Sequence, residues 1–306
     1  MTDLATAETF LVTHARLLER RRLELLLGRA DAAEGVIAAL AGYRNPDGGY
    51  GWGLEPDLRA AGSQPAGAFQ ALTVLAELAE LDSAAAPAAG ELAGALCDWL
   101  GTIALDGGAL PFALAGAEGP GTAPWWAGGD PTEPSLHITA GIVAYAQRVR
   151  AHAPALAGHS WLTRATDWCL EQVAAGERPA GGGYTLAFVL GLLDAVVDVR
   201  PSATAELERM AAFVPPSGAL PVSGGVDDEQ LRPLRISPEP GRPLRALMPA
   251  DAIARDLAAL AQEQQEDGGW TVDFPSSSPA GAIEWRGIAT IEALTLLRAN
   301  RSIEVP

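Results

Sequence analysis

The feature that most constrains the fold is a glycine-rich turn that returns between apolar segments along the chain. Most copies have one or more polar or acidic residues, then a Gly-Gly or Ser-Gly pair, and then an apolar or aromatic residue. Copies occur at residues 42–57, 105–113, 215–225 and 264–275, with a weaker one at 175–185. A pattern that repeats in this way indicates one structural unit packed against copies of itself. We therefore expect repeated helix–turn–helix units.

Two kinds of helix are predicted around these turns. Residues 92–103 carry apolar side chains at helical spacing on one face. The segments that follow the turns are apolar nearly all round, at residues 69–81, 136–149, 184–197 and 288–297. Because a helix that is apolar on every face must be buried on every face, the two kinds predict two layers.

The alternation predicts an all-α fold, an (α/α)6 barrel or toroid of about 11–12 helices in two concentric rings. We expect the ring to be one domain spanning residues 1–306, with residues 3–27 as its first inner helix. The twelfth helix would fall at residues 232–249, where prolines allow only a short or broken helix. Sheets are not expected, because period-2 apolar alternation is almost absent.

The charge balance narrows the classes of partner. The formal net charge of −17 disfavours binding to nucleic acid. The chain contains no lysine, which excludes Schiff-base chemistry and a lysine-bearing phosphate loop.

The most apolar run, residues 184–197, is too short for a membrane span, and the acidic first residues do not resemble a secretory signal. These features predict a cytoplasmic protein.

One turn carries the most specific resemblance to a known family. In "QEQQEDGGW", Gln265, Gly268 and Trp270 stand where squalene-hopene cyclases and related terpene cyclases have a Gln followed by Gly-x-Trp. The segment "NPDGGYGW" at residues 45–52 is similar, without the Gln. The segment "GGGYTLAFVLGLLDAV" at residues 181–196 resembles an inner helix of protein prenyltransferase β-subunits. The resemblance implies an α/α toroid with an apolar substrate.

The sequence also departs from these families. The Asp-x-Asp-Asp acid of the proton-initiated cyclases is missing, since "GGVDD" offers only Asp227 and Asp228, and His137 falls at the place of the central acid. The zinc set of the prenyltransferases has no matching cysteine, because Cys97 and Cys169 lie in one-sided helices, where we expect buried thiols. We therefore expect no metal and no other cofactor.

In a toroid, the loops before the inner helices gather at one mouth, where aromatic and ionisable residues can converge on a ligand. The mouth residues are Trp52, Glu55, Asp57, Arg59, Trp125, Trp126, Asp130, Glu133, His137, Trp270, Asp273, Glu284, Trp285 and Arg286. Tryptophan faces stabilise cations, although for Trp52 and Trp270 the favoured interpretation is that they pack repeat against repeat. His137 near Glu133 is a candidate acid or base, or alternatively a capping residue.

Two further groups each allow two interpretations. Glu284 could be a buried acid and Arg286 an anion clamp, or the two could form a structural pair, because burying a lone charge is costly. The segment 232–245 contains four arginines, which could bind a diphosphate or carboxylate or lie in a solvated loop. Residues 77–80 are interpreted as a solvated acidic face.

The function predicted on this basis is that of a terpene-cyclase-like or isoprenoid-binding protein, acting on a small apolar ligand with or without a diphosphate. The candidate catalytic residues are His137, Glu133 and Glu284. The candidate substrate-binding residues are Trp52, Asp57, Arg59, Trp125, Trp126, Trp270, Trp285 and Arg286. The alternatives are a non-catalytic binding or scaffold protein on the same toroid and an α/α-barrel carbohydrate-active enzyme with paired carboxylates. The sequence does not indicate an oligomeric state.

Overall fold

The computed structural model describes residues 2–179, 181–223 and 229–303, and these residues are predominantly helical. The helices in these ranges are α1 Leu4–His14, α2 Leu17–Leu26, α3 Ala32–Ala41, α4 Pro65–Leu81, α5 Ala86–Ile103, α6 Pro124–Ala127, α7 Leu136–His152, α8 Ser160–Ala175, α9 Gly182–Val196, α10 Ala203–Ala211, α11 Pro233–Ile236, α12 Pro243–Leu247, α13 Ala250–Leu260 and α14 Pro279–Ala299. A short antiparallel pair joins β1 Leu220–Pro221 to β2 Gln230–Leu231. The expectation of an all-α fold is confirmed. No helix in the described residues is long and apolar enough to cross a bilayer.

The predicted first helix, residues 3–27, is two helices rather than one. The backbone is extended at Ala15 and Arg16, which separate α1 from α2. The Arg16 guanidinium donates to the carbonyls of Gly53 and Leu54 at 3.2 and 3.0 Å and pairs with Glu19. These long-range bonds hold the break. The sequence could not indicate it, because no proline or glycine marks the position.

The glycine-rich turns share one hydrogen-bond pattern. In the first, Asn45 N donates to Gly49 O and Gly48 N donates to Asn45 O, at 2.9 and 3.0 Å. The turns that start at Leu105 and Gln265 repeat both bonds at 2.8 to 3.0 Å. The fourth residue is left-handed in all three turns, with φ of +94° at Gly48, +91° at Gly108 and +91° at Gly268. Glycine adopts this conformation without steric cost, so the sequence repeat is also a structural repeat.

Two of these turns dock on the helix that follows them through a threonine. Leu110 N donates to Thr139 Oγ1 of α7 at 2.9 Å, and Trp270 N donates to Thr290 Oγ1 of α14 at 3.0 Å. Both threonines are fully buried. Each hydrogen bond therefore fixes the position of α7 or α14 along its own axis. It also fixes the position of the residues at the start of that helix.

The two predicted kinds of helix are both present. In α4 and α7, most residues are buried on all sides, whereas α8 and α10 bury one face. Contacts run from α2 to α4, then to α7 and α9; α9 contacts α11 and α12; α11 contacts α13; α13 contacts α14; and α14 contacts α2. The series of contacts thus returns to its starting helix.

The proline-rich segment forms two short helices, as expected for residues 232–249. Helices α11 and α12 have four and five residues, and each begins with a proline at its first turn, where a missing N–H costs nothing. Their arginines reach helices on both sides: Arg235 of α11 pairs with Glu292 of α14, and Arg242, which precedes α12, pairs with Asp194 of α9.

Candidate functional site

A cluster of aromatic side chains lies between α4, α7 and α9. The Phe69 ring contacts the rings of Tyr145 and Phe188 edge to face, with 5.3 Å between centroids in both pairs. The His137 ring lies 5.0 Å from that of Phe188, and Tyr184 lies beside both. All five rings are half-buried on helices whose neighbouring residues are mostly buried. They therefore border a space rather than fill the core.

Gly141 allows this cluster to form. It lies one turn after His137 on α7, and a Cβ at this position would be 3.0 Å from the Phe69 ring and 3.3 Å from the Phe188 ring. A side chain here would push the two rings apart. The absence of a side chain at Gly141 thus lets rings from two other helices close over α7.

An open pocket of about 720 Å³ adjoins the cluster at the N-terminal ends of α7 and α9. Its walls include Phe112, Ser135, His137, Arg178, Tyr184 and Thr185. Phe112 stacks on Trp126 at 4.5 Å and contacts His137 edge to face. A volume of this size, with aromatic walls and a few polar groups, is typical of a small-molecule site.

His137 is the titratable side chain between the pocket and the aromatic cluster. Burial lowers its pKa to about 4, because a buried imidazole loses the hydration that stabilises its charged form. Its Nδ1 lies 3.3 Å from Thr185 Oγ1. The predicted partner, Glu133, is exposed, and the hydrogen-bond partner that the described residues provide is Thr185 instead. His137 is therefore neutral at physiological pH, able to act as a base or as a neutral hydrogen-bonding group.

Glu55 is a second buried titratable group, in the loop before α4. Its side chain is 7% exposed, and burial raises its pKa to about 7. Gln70 Nε2 donates to Oε2 at 2.9 Å, and Asp57 N donates to Oε1 at 3.3 Å. Glu55 can therefore exchange a proton near neutral pH.

Asp57 is fully occupied by structural bonds. Its Oδ1 accepts from Ser276 Oγ at 2.6 Å and from Ser277 N at 3.2 Å, and its Oδ2 accepts from Trp285 Nε1 at 2.7 Å. These bonds join the loop before α4 to the loop and first turns of α14. The structure thus brings together Asp57 and Trp285, which the sequence assigned to one mouth from opposite ends of the chain.

Arg59 and Glu284 form a second link between the loop before α4 and the start of α14. Their side chains are ion-paired and partly exposed. The suggested pair of Glu284 with Arg286 is wrong, because Arg286 donates to both oxygens of Asp267 at 2.8 Å and packs over the Phe10 ring. The two residues are separated because their side chains leave α14 on different sides.

The remaining predicted tryptophans have different environments. Trp270 is 2% exposed and donates to Leu260 O, which confirms that it packs between repeats. Trp52 is 59% exposed in a left-handed conformation (φ 56°), so the packing interpretation is wrong for it. Trp125 is 50% exposed, whereas Trp126 is buried against Phe112. Trp52 and Trp125 thus present aromatic surface to solvent.

The arginines of segment 232–245 are engaged within the protein, so the segment is not a solvated loop. Arg232 pairs with Asp256 and Glu263, Arg242 with Asp194 and Asp198, and Arg235 with Glu292. Arg245 donates to Ser237 and to Asn300 Oδ1. The acidic groups of α9, α13 and α14 therefore occupy most of the positive charge that could have held an anion.

Several other predicted groups are located by the structure. Cys97 and Cys169 are free and buried as expected, and burial raises the pKa of Cys97 to about 12. No group of His, Cys, Asp or Glu in the described ranges is arranged to hold a metal ion. Asp227 and Asp228 lie outside the described residues.

Sequence reasoning missed most of the aromatic cluster. Phe69, Tyr145, Tyr184 and Phe188 were treated as parts of uniformly apolar helices. A signal was present, because Tyr184 and Phe188 are four residues apart, as are His137 and Gly141 and then Gly141 and Tyr145. Side chains at this spacing share one face of a helix. No family model and no curated protein sequence matches this chain.

Proposed function

We propose that the chain is a closed (α/α)6 toroid that binds a small apolar, isoprenoid-like ligand between its inner helices. The observation that carries the proposal is the cluster of half-buried rings from α4, α7 and α9, two of which, His137 and Tyr184, line a pocket of about 720 Å³. Aromatic side chains supply large apolar contact areas and also stabilise positive charge in a ligand.

The contact series supports the closed ring. Apart from the four-residue α6, the helices of the described residues can be grouped into six consecutive pairs. The outer partners would be α1, α3, α5, α8, α10 and α13, and the inner partners would be α2, α4, α7, α9, α11 with α12, and α14. The break at Ala15 and Arg16 divides the predicted first inner helix, so that α1 becomes the outer partner of α2 in this grouping. The resemblance of residues 264–270 to the turns of terpene cyclases supports the same arrangement.

Two acid–base groups accompany the apolar surface. His137 adjoins the rings in its neutral form, and Glu55, in the loop before α4, has a pKa raised to about 7 by burial. The proposed site therefore combines an apolar wall with groups that can donate or accept a proton.

A glycoside hydrolase is the second candidate, because one observation favours it. Glu55, with its raised pKa, and Glu284, ion-paired with Arg59, belong to the same mouth as the exposed Trp52. Glycosidases cleave glycosidic bonds with a pair of carboxyl groups, one of which has a raised pKa and acts as the acid, and an exposed tryptophan ring can stack on a sugar.

Isothermal titration calorimetry with farnesol, geranylgeraniol, cellohexaose and maltohexaose separates the two candidates. We expect the prenyl alcohols to bind and the oligosaccharides not to bind. Phe188→Ala should weaken prenyl alcohol binding about tenfold, which corresponds to about 1.4 kcal/mol, because it removes a ring that touches three others. Phe10→Leu is the control, since Phe10 packs under Arg286 in a separate part of the core, and it should bind as the wild type does.

Binding of an oligosaccharide with no binding of a prenyl alcohol would replace the first candidate by the second. Equal losses in Phe188→Ala and Phe10→Leu would show that the aromatic cluster is not the site. Circular dichroism of both variants establishes that each remains folded.

A further inference from the structure

The hydrogen bonds around His137 determine which of its two ring nitrogens carries the proton. Its Nδ1 lies 3.3 Å from Thr185 Oγ1, and that oxygen also lies 3.3 Å from Gly181 O. A threonine hydroxyl has one proton to donate and lone pairs that accept. Because a carbonyl oxygen can only accept, the Thr185 hydroxyl is the donor in its bond to Gly181.

Both contacts of Thr185 are hydrogen bonds only when the imidazole donates to it. The Thr185 proton then points to Gly181 O, and a lone pair of Oγ1 accepts from His137 Nδ1. If the proton were on Nε2 instead, Thr185 would have to donate to His137 and would lose its bond to Gly181. Two bonds are more favourable than one, so the neutral ring is protonated at Nδ1.

The second ring nitrogen of His137, Nε2, then has a free lone pair. It has no hydrogen-bond partner in the described part of the chain, and it is not among the buried polar atoms there that lack one. Nε2 is therefore open to the pocket of about 720 Å³ that His137 lines. The rings of Phe112, Tyr184 and Phe188 surround the same imidazole. The pocket thus has a hydrogen-bond acceptor set in an aromatic wall.

An acceptor in this position favours a ligand that has a proton to donate. A hydroxyl group can donate a hydrogen bond, whereas an ether oxygen, a carboxylate or an ionised diphosphate only accepts. An acceptor facing Nε2 would leave both groups unpaired, which weakens binding. A protonated amine could also donate, but Arg178 in the wall of the pocket disfavours a second cation.

We infer that the ligand is an alcohol whose hydroxyl group donates a hydrogen bond to His137 Nε2, with its hydrocarbon part against the neighbouring rings. His137 then determines specificity for an alcohol over the corresponding ether. Thr185 is a positioning residue, because it fixes the tautomer of His137. The inference rests on the proposed function and names the polar group of its ligand.

The protonated nitrogen can be identified without a ligand. The chain has four histidines, and long-range ¹H–¹⁵N correlation spectra of the ¹⁵N-histidine-labelled protein distinguish the two neutral tautomers, with His137→Asn assigning the signal. At pH 7 we expect His137 to be protonated at Nδ1. Thr185→Val, which lacks the hydroxyl, should lose this preference, whereas Thr9→Val, at an exposed threonine of α1, should keep it. Protonation at Nε2 in the wild type would overturn the inference.

Calorimetric titration of the full chain with farnesol and with farnesyl methyl ether tests the contact itself. The ether keeps the hydrocarbon and the oxygen but has no proton to donate, so the wild type should bind it about tenfold more weakly than farnesol. His137→Phe keeps an aromatic ring without the acceptor and should bind the two compounds with nearly equal affinity. His14→Phe, at an exposed histidine of α1, should discriminate between them as the wild type does.

The same discrimination in the wild type and in His137→Phe would overturn the inference, because the extra methyl group of the ether would then account for it. Equal affinity of the wild type for the two compounds would overturn it as well. In both cases the proposed function would stand, since a prenyl compound still binds. Binding of neither compound to the wild type would contradict the proposed function and this inference together.

Discussion

At the scale of single residues, Glu55 and Asp57 show how neighbouring carboxyl groups acquire different properties. Both are buried, and they are two positions apart in one loop. Asp57 is satisfied by Ser276, Ser277 and Trp285, more than 200 residues away, whereas Glu55 has only Gln70 and one backbone N–H. The sequence predicted that both belong to a mouth. It could not predict which would be neutral, because that depends on partners from another part of the chain.

The raised pKa of Glu55 predicts a pH dependence of stability. Its folded pKa of about 7 lies above its ordinary value of 4.5, so the folded state binds the proton more tightly, and stability falls as pH rises from 4.5 to 7. Glu55→Gln removes this titration. At pH 8 the variant should exceed the wild type in free energy of unfolding by up to about 3 kcal/mol.

Urea denaturation at pH 4.5, 6 and 8 measures this difference, with Glu133→Gln as the control at an exposed carboxyl group. The difference in free energy of unfolding between Glu55→Gln and the wild type should grow with pH. The difference between Glu133→Gln and the wild type should be the same at all three pH values. A constant difference would mean that Glu55 ionises normally in the folded protein.

At the scale of helices and turns, the sequence predicts those features whose geometry depends only on neighbouring residues. The left-handed glycine of each turn requires no long-range partner, so the repeat could be predicted from the residues alone. The break between α1 and α2 could not, because Arg16 holds it through carbonyls 37 and 38 positions away. Residues 77–80 were also misjudged: Glu77 is buried against Arg22 of α2, which no local pattern indicates.

Gly268 provides a test of the turns. A Cβ there would lie 2.1 Å from Thr6 O, and φ is +91°, so Gly268→Ala combines backbone strain with a steric clash between the turn and α1. We expect a loss of about 3 kcal/mol or more in the free energy of unfolding. Gly158→Ala has the strain alone, with φ of +82° and no atom within 4 Å of the Cβ, and should lose about 1 kcal/mol.

Chemical denaturation of the two variants side by side gives both values. Similar losses would show that the turn at residues 264–269 does not press against α1, and would weaken the case that the repeats stack closely.

At the scale of the whole molecule, the two ends of the chain meet through α14, which contacts both α1 and α2. Asp57 with Trp285 and Arg59 with Glu284 add polar bonds between the loop before α4 and the start of α14. The sequence predicted that these four residues would gather, since each precedes or begins an apolar helix. It did not predict their pairing, because the order of side chains around a mouth depends on how every intervening helix is rotated.

The central claim is that an apolar ligand lies among the rings of α4, α7 and α9. The chain has six phenylalanines, so labelling with 4-fluorophenylalanine gives six ¹⁹F resonances, assigned by single Phe→Leu substitutions. Three belong to the cluster and the pocket beside it, Phe69, Phe112 and Phe188, while Phe10 packs under Arg286 in a separate part of the core.

Titration with farnesol followed by ¹⁹F NMR is therefore the most direct measurement. We predict that the resonances of Phe69, Phe112 and Phe188 shift during the titration and that all three shifts fit one dissociation constant. The resonance of Phe10 should not shift. Shifts at Phe10 without shifts at Phe69 and Phe188 would contradict it, as would six unchanged resonances at farnesol concentrations that saturate binding.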